Sequence, residues 1–339
     1  MKVSELGEFG LIERLAELLA AQGSAAFSDR LTVGIGDDAA VWREDGSAVV
    51  ATTDTLVAGV HFLPDKPPWR DLGWKALAVN VSDIAAMGAV PEFALITLAL
   101  PPDAEVEAID DLYRGLSEAG EAYAVVIAGG DVVRAPQTAI TVALCGRAEL
   151  DAANEPLVLR RAAAAPGDLV AVTGSLGGAA AGLRLLRDGH EDSERARALI
   201  ERHLRPQARA QAGPAALAAG IRCAIDVSDG LLQDLRHVCK ASRAGAVVWR
   251  DKLPVDPALA ELFDAGEALL MAASGGEDYE LLLTGTREQL DALRKQIDAP
   301  LTVIGEMVID AGCEARLLDE SGKAIDLPAL GWDHLKGQS

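Results

Sequence analysis

The chain predicts an α+β fold in two domains, and three observations carry that expectation. Its 339 residues suit about two domains at roughly 100–200 residues each. Strand-like and helix-like stretches mix in both halves without the strict alternation of a doubly wound sheet. Between the halves runs the polar, aperiodic stretch Glu149-Leu150-Asp151-Ala152-Ala153-Asn154-Glu155-Pro156, followed by a turn at Ala165-Pro166-Gly167-Asp168. The expected division is an N-terminal domain of residues 1–148 and a C-terminal domain of residues 149–339.

The elements follow in order. Leu11, Ile12, Leu15, Leu18 and Leu19 fall on one face of a helix over Glu8–Ala21, the spacing of an element packed on a core. Short β-like runs come next at Thr32–Ile35, Ala39–Trp42 and Ala48–Thr52, separated by Gly-Asp-Asp and Glu-Asp-Gly turns. Lys66-Pro67-Pro68-Trp69 breaks the chain before a helix from about Leu72 to Met87. Phe93–Leu100 reads as a strand stopped by Pro101-Pro102, with a helix from about Glu105 to Ala122 behind it. Val125–Ala128 and Ala139–Gly146 complete the first half as strands. In the second half Leu169–Thr173 is a buried strand, and Gly174-Ser175-Leu176-Gly177-Gly178 leads into a helix over Ala179–Leu186. Helical stretches at about Ser193–His203 and Gln207–Ala219 precede a strand at Cys223–Asp226 and a helix from Leu231 to about Ser242. Strands at Glu280–Thr284, Thr302–Glu306 and Ala315–Leu318 finish the chain.

Composition narrows the partners. Lys+Arg number 31 against Asp+Glu 52, a formal net charge of −21. Such a surface repels nucleic acid and anionic membranes, so a polyanionic partner must be small and must come with cations. The four cysteines (Cys145, Cys223, Cys239, Cys313) show no close pairing, which fits a reducing cytosol and argues against a disulfide framework or structural zinc. The N-terminus has no apolar core of a signal peptide, and the longest apolar stretches are strand-sized, short of the ~20 residues that cross a bilayer. The expectation is a soluble cytoplasmic protein.

Six turn-like stretches set an acidic residue beside Gly, Ser or Thr: Gly36-Asp37-Asp38, Thr52-Thr53-Asp54-Thr55, Val81-Ser82-Asp83, Gly129-Gly130-Asp131, Asp226-Val227-Ser228-Asp229 and Gly275-Gly276-Glu277-Asp278. Each puts a hard oxygen ligand where backbone can approach an ion or phosphate closely. The bland reading is that Asp and Ser before a helix are N-caps. A cap needs one such residue, whereas Ser82-Asp83 and Ser228-Asp229 offer two each. Asp226 also ends an apolar strand, where an unpaired carboxylate is costly. Asp37-Asp38 sets like charges side by side, and metal coordination is one way to offset their repulsion. Together the six favour a site holding polyphosphate through Mg²⁺ rather than lysine. The segments Val79–Ile84 and Ile225–Gly230 also echo each other, each a strand, then Ser-Asp, then a helix.

Other signals are weaker. Gly174-x-x-Gly177-Gly178 before a helix could cradle a phosphate, but a tight strand–helix turn explains it as well, and no Walker lysine follows. The five histidines form no HExxH or HxxxH pair, so catalytic zinc is not expected. His61, in a Gly-Val-His-Phe turn, is a candidate substrate contact, and His190 reads as a solvated loop. A GxSxG nucleophile signature is absent. Trp332, in Gly331-Trp332-Asp333-His334, is either a core plug or a cover for a flat ligand.

Several of these residues fall in longer motifs. Gly7-Glu8-Phe9-Gly10-Leu11-Ile12, Gly34-Ile35-Gly36-Asp37-Asp38, Thr53 to Phe62, Lys75 to Gly88 and Ser274 to Leu281 resemble the thiamine-monophosphate kinase family, nearly end to end. The wider superfamily, which resembles aminoimidazole ribonucleotide synthetase, shares the fold and ATP use but lacks the His61 and Glu277 motifs. The resemblance implies transfer of the ATP γ-phosphoryl group to thiamine monophosphate, giving thiamine diphosphate. It implies a homodimer whose N-terminal sheets pair into a barrel, with active sites near that interface. By motif, Asp38, Thr52, Thr53, Asp54, Asp83, Asp131, Asp226 and Asp229 would bind several Mg²⁺ ions. Gly130, Asp131, Arg161 and Ser228 would contact ATP, with Tyr113 against the adenine. His61, Glu277 and Trp332 would face the thiamine moiety, while Leu335 stands where relatives often have an aromatic. A selenophosphate synthetase-like protein would want a reactive N-terminal cysteine, and the first here is Cys145. A hydrogenase-maturation-like protein would want a C-terminal cysteine, and the chain ends Lys336-Gly337-Gln338-Ser339. A non-enzymatic metal- or nucleotide-binding protein is the rival from another class.

Overall fold

The computed structural model describes Gly10, Ile12 and residues 30–63, 68–190, 193–328 and 330–332. The helix expected over Glu8–Ala21, the Lys66-Pro67 break, His334 and Leu335 lie outside these residues, apart from Gly10 and Ile12, which are helical.

Two six-stranded sheets organise the chain. The first runs in the order β1-β2-β3-β6-β4-β5, from β1 (Leu31–Val33), β2 (Ala40–Glu44), β3 (Ser47–Val57), β4 (Val90–Leu100), β5 (Val126–Arg134) and β6 (Ala139–Ala148). All neighbours are antiparallel except β4 and β5, which are joined by a helical crossover, as parallel neighbours require. The second runs β12-β9-β11-β7-β10-β8, from β7 (Leu169–Thr173), β8 (Cys223–Asp226), β9 (Gly245–Trp249), β10 (Leu281–Gly285), β11 (Leu301–Val308) and β12 (Ala315–Leu318). Only β12 and β9 are parallel there. This is the predicted α+β class.

Three of the expected turns are not turns. Thr52–Thr55 lies inside β3, whose ladder with β6 runs from Ala48↔Ala148 to Val57↔Ala139. Threonine is a strong strand former, and a ten-residue ladder outweighs the local turn preference of one aspartate. Gly129-Gly130-Asp131 lies inside β5, paired with Leu95, Ile96 and Thr97. A Cβ on Gly130 would stand 1.8 Å from the Ile96 carbonyl oxygen, so glycine is there for close strand approach rather than for a turn. Ser82-Asp83 does not precede a helix; it sits in the last turns of α1 (Trp69–Ala86). The helix expected over Gln207–Ala219 is shorter, α5 (Ala212–Ala218).

Helix α1 decides how the halves meet. Thirteen of its 18 residues are buried, around its whole circumference. One side packs on the first sheet through Leu72, Leu77, Val81 and Ile84 and on α2 (Val106–Tyr123). The other side, at Ala85 and Ala86, joins a core with Leu159, Ala216, Leu281 and Leu283 of the second half. Helices flank both faces of the second sheet: α6 (Leu231–Ser242) and α8 (Ala265–Ser274) share a core with Val170, Val172 and Leu282, α5 and α9 (Arg287–Arg294) share one with Ala171, Leu281 and Leu283 on the other face, and α3 (Gly178–Asp188), α4 (Glu194–Leu204) and α7 (Leu259–Leu262) form a further cluster.

Candidate active site

A helix buried on all sides cannot carry polar residues without partners, and four polar side chains of α1 reach three other segments. The Lys75 ammonium lies 2.8 Å from Glu277, in the loop before β10. The Asn80 side-chain oxygen accepts from the Asp54 backbone N–H at 3.1 Å, and its amide donates to the Ala76 carbonyl. Among the described residues the β2–β3 ladder ends at Ala51, and Asn80 supplies an acceptor for a β3 backbone N–H just beyond it. Ser82 donates to Asp226 at the end of β8 at 2.6 Å. Asp83 accepts from the Thr52 hydroxyl at 2.5 Å. The two echoing segments of the sequence therefore meet face to face.

Asp38, Asp83 and Asp226 each place a carboxylate oxygen here, all within 4.8 Å of one another. They come from the loop before β2, from α1 and from β8, so both halves of the chain contribute. Burial, with the charges of Asp54, Asp226 and Asp38, raises the Asp83 carboxyl well above its usual range. Burial and the Asp38 charge push Asp226 up to about 8. Carboxylates that oppose each other's ionisation, drawn from distant segments into one desolvated spot, make a set of donors for a hard cation. Asp54 adds its charge to this cluster.

Arg161 stands at its edge. Its guanidinium donates to both oxygens of Asp38, at 3.0 and 2.8 Å, and its backbone N–H donates to Asp37 at 3.1 Å. The repulsion between Asp37 and Asp38 is thus met in part by arginine. Burial opposes the Arg161 charge, but Asp38, Asp37 and Asp226 together outweigh it and raise its pKa further.

The capping reading of Ser228 and Asp229 does not hold. Helix α6 begins at Gly230 with no side-chain cap. Asp234, within α6, instead accepts the backbone N–H groups of Ser228, Asp229 and Gly230 at 3.0–3.1 Å. The Trp332 N–H donates to the Asp229 carbonyl at 3.1 Å, so the C-terminal segment lies against the same loop. The phosphate-cradle reading of Gly174–Gly178 fails for a similar reason. The N–H groups of Gly177 and Ala179 donate to the Asp278 carboxylate at 2.6 and 3.0 Å, a protein anion where a ligand would sit.

Glu277 and Tyr279 both hold left-handed backbone, at φ 69° and 50°, in a loop tied to Ser228 and Val227 by Glu277 N–H and Tyr279 N–H. Non-glycine residues in that region store strain that surrounding structure must maintain. Glu277 faces Lys75 on one side and the His203 imidazole on the other, 3.0 Å away. Burial works against its charge, yet Lys75 and His203 hold its carboxyl well below the usual range. His61, whose Nδ1 accepts from the Val57 N–H at 3.0 Å, lines one cleft with Phe62, Leu72, Lys75, Leu186 and His203.

Four expected site residues stand apart from the cluster. Thr53 points to the opposite face of β3, its hydroxyl donating to the Val142 carbonyl. Gly130 and Asp131 are on the exposed edge strand β5. The register row Asp54–Val142–Ile96–Gly130 sets them three strand spacings from Asp54, about 14 Å at ~4.8 Å each. Tyr113 is 36% exposed on α2. The residues that sequence reading missed are Lys75, Asn80, His203 and Asp234. Lys75 and Asn80 stood inside a quoted motif, but a lysine or asparagine in a helix reads as surface until the helix proves buried.

Two six-stranded sheets joined across a carboxylate seam define the class, and comparisons with known proteins agree. Family models match residues 36–148 as the AIR synthase related protein N-terminal domain and residues 165–317 as its C-terminal domain. The Salmonella typhimurium thiamine-monophosphate kinase is 41% identical over 338 residues, covering 97% of this chain and 98% of that protein. The Aquifex aeolicus thiamine-monophosphate kinase is 36% identical over 337 residues, covering 98% and 100%. The chain belongs to the thiamine-monophosphate kinase family of enzymes. A solved structure described as AaThiL complexed with AMPPCP and TMP superposes with a TM-score of 0.84 at 33% identity, covering 98% of this chain and 99% of that one. The hydrogenase maturation protein HypE of E. coli, at 19% identity and a TM-score of 0.64, shares the fold alone.

Proposed function

We propose that this chain transfers the γ-phosphoryl group of ATP directly, in line, to thiamine monophosphate, giving thiamine diphosphate and ADP. The observation that carries the reading is the convergence of Asp38, Asp83 and Asp226 within 4.8 Å, in a chain whose relatives bear that enzyme's name. A phosphate monoester has a second pKa near ~6, so the acceptor is already an ionised nucleophile at neutral pH, and no general base is needed. The difficulty is repulsion between two polyanions in an acidic site.

The donor set fits Mg²⁺: hard oxygens, crowded and desolvated, with the carboxyls of Asp83 and Asp226 raised in a way that a divalent ion would reverse. Asp38, Asp83 and Asp226 would hold it, with Asp54, Asp229 and Thr52 at the margins; Thr53, its hydroxyl on the opposite face of β3, would offer only its backbone. Bound there, it supplies charge neutralisation for the phosphates and for the loose transition state of phosphoryl transfer. Arg161 presents a planar fork of the kind that binds phosphate oxygens in pairs, and with Ser228 and Gly130 it would hold ATP. His61, Glu277 and Trp332 would hold the thiamine moiety.

Asp131, Gly130 and Tyr113 fit this reading through a homodimer. On β4 and β5 the side away from α1 exposes Phe93 (54%), Leu95 (53%) and Val126 (56%), and β5 is an edge of the sheet among the described residues. An apolar sheet face beside an open edge supports sheet pairing with a second copy. Pairing of the two sheets into a barrel would carry β5 of one copy toward the carboxylate cluster of the other. We keep residues 1–148 and 149–339 as the two domains; the end of β6 at Ala148 supports that division.

The test is ADP release measured with ATP and Mg²⁺, with and without thiamine monophosphate, and with free thiamine as control. Release only with the monophosphate is expected. Equal turnover with free thiamine, or ADP release indifferent to either, would overturn the assignment.

A further inference from the structure

Lys75 is a charged side chain in an unusual place. It is 2% exposed, on a helix buried all round, and its nitrogen meets one oxygen of Glu277 at 2.8 Å while the His203 Nδ1 meets the other at 3.0 Å. Burial and the Lys75 charge lower the His203 pKa, so at neutral pH the imidazole is neutral and Lys75 supplies the positive charge. Lys75 and His203 also line the cleft that His61 borders, with apolar walls from Phe62, Leu72 and Leu186. Lys75 and Leu72 come from α1, Leu186 and His203 from α3 and α4, so the two domains grip Glu277 between them.

This geometry changes what Glu277 can do for a ligand. A carboxylate beside a cationic substrate is ordinarily read as its counter-charge. Here the charge of Glu277 is already balanced by an ammonium in contact with it, and little field remains for a second cation. Each carboxylate oxygen has a second lone pair, so directional acceptance of a hydrogen bond is left to it.

We propose that Lys75 is a positioning residue for Glu277, fixing its partly exposed carboxylate, beside the cleft that Lys75 and His203 line, as an acceptor for an N–H donor on the substrate's heteroaromatic ring. The amino group of the thiamine pyrimidine is a donor of that class. The inference rests on the thiamine monophosphate reading above, and it assigns to Lys75 and His203 a role in selecting an amino-substituted ring.

The experiment compares Lys75→Met, Glu277→Gln and the double variant in steady-state kinetics and thermal melts. With Lys75→Met, the KM for thiamine monophosphate is expected to rise at least about tenfold, the scale of a lost hydrogen bond to a charged group. The KM for ATP should hold, and the melting temperature should fall because Glu277 is left buried and unpaired. In the double variant that orphan charge is gone, so the melting temperature should recover while the KM stays raised. Since Lys75 acts through Glu277, the double variant and Glu277→Gln alone should share one KM, a comparison that survives even if Lys75→Met fails to fold. A lower KM in Lys75→Met would overturn the proposal in favour of the counter-charge role. Recovery of both stability and KM in the double variant would make Lys75 a structural residue only. Absence of thiamine monophosphate-dependent ADP release in the unaltered protein would overturn the kinase reading itself, while the melts still report whether Lys75 and Glu277 are coupled.

Discussion

At the scale of single residues, Asp226 shows two opposed demands on one side chain. It is 3% exposed at the end of an apolar strand, with its carboxyl raised by burial and Asp38 to about 8. A carboxyl with a folded pKa above its unfolded value stabilises the fold while protonated, and that contribution is lost as pH rises through the folded pKa. Without Mg²⁺, the melting temperature should therefore fall between about pH 4 and pH 8, where the unfolded chain has already ionised this group. Asp226→Asn should flatten that slope and raise the melting temperature at pH 8, and the Mg²⁺ concentration for half-activity should increase. Identical pH slopes in the two proteins would show that Asp226 carries no such burden. The bland cap alternative predicts the reverse, a loss of ~1 kcal/mol with unchanged Mg²⁺ dependence.

At the scale of elements, local preference and ladder pairing compete, and pairing wins wherever it is long. The short strands at Leu169–Thr173, Cys223–Asp226 and Ala315–Leu318 match expectation residue for residue, because apolar runs bounded by polar turns leave little choice. Residues 52–55 and 129–131 mislead, since Asp and Gly signal turns that β6 and β4 override through partners far away in sequence. Strand β9 and helix α8 were not picked out at all. Gly130 tests the point. Its absent Cβ leaves room for the Ile96 carbonyl, so Gly130→Ala must push β5 from β4. A loss of about 1–3 kcal/mol is expected, the usual range for overpacking, read as a lower urea midpoint with unchanged slope. Unaltered stability would mean the strand shifts at no cost.

At the scale of the whole molecule, the separation of Asp131 from the carboxylate cluster makes a sharp prediction. If each site draws Asp54 from one copy and Asp131 from its partner, Asp54→Asn and Asp131→Asn should each be inactive alone. Co-expressed, half of the dimers would be hybrids, and each hybrid would rebuild one intact site. Activity should return to about a quarter of the unaltered level, as two-fold symmetry requires. No recovery in hybrids isolated with two affinity tags would place both residues in sites within one chain. No helix of the described residues is long and apolar enough to cross a membrane, in keeping with the strand-sized apolar runs.

What the amino-acid order determined unaided was the inventory: an α+β chain, an acidic chemistry suited to Mg²⁺ and polyphosphate, and the motifs of a phosphotransferase family. Aspartate beside a small residue is a local pattern, so Asp38, Asp83 and Asp226 could be picked out one at a time. That they share one 4.8 Å site depended on α1 being buried between two sheets, a fact of packing. The same burial turned Lys75 from an apparent surface residue into a strut between domains and gave Asn80 a partner in β3. Periodicity reports which face of an element is apolar, and a helix enclosed on every side has no such face to report. Its polar residues became legible only when the tertiary structure supplied their partners.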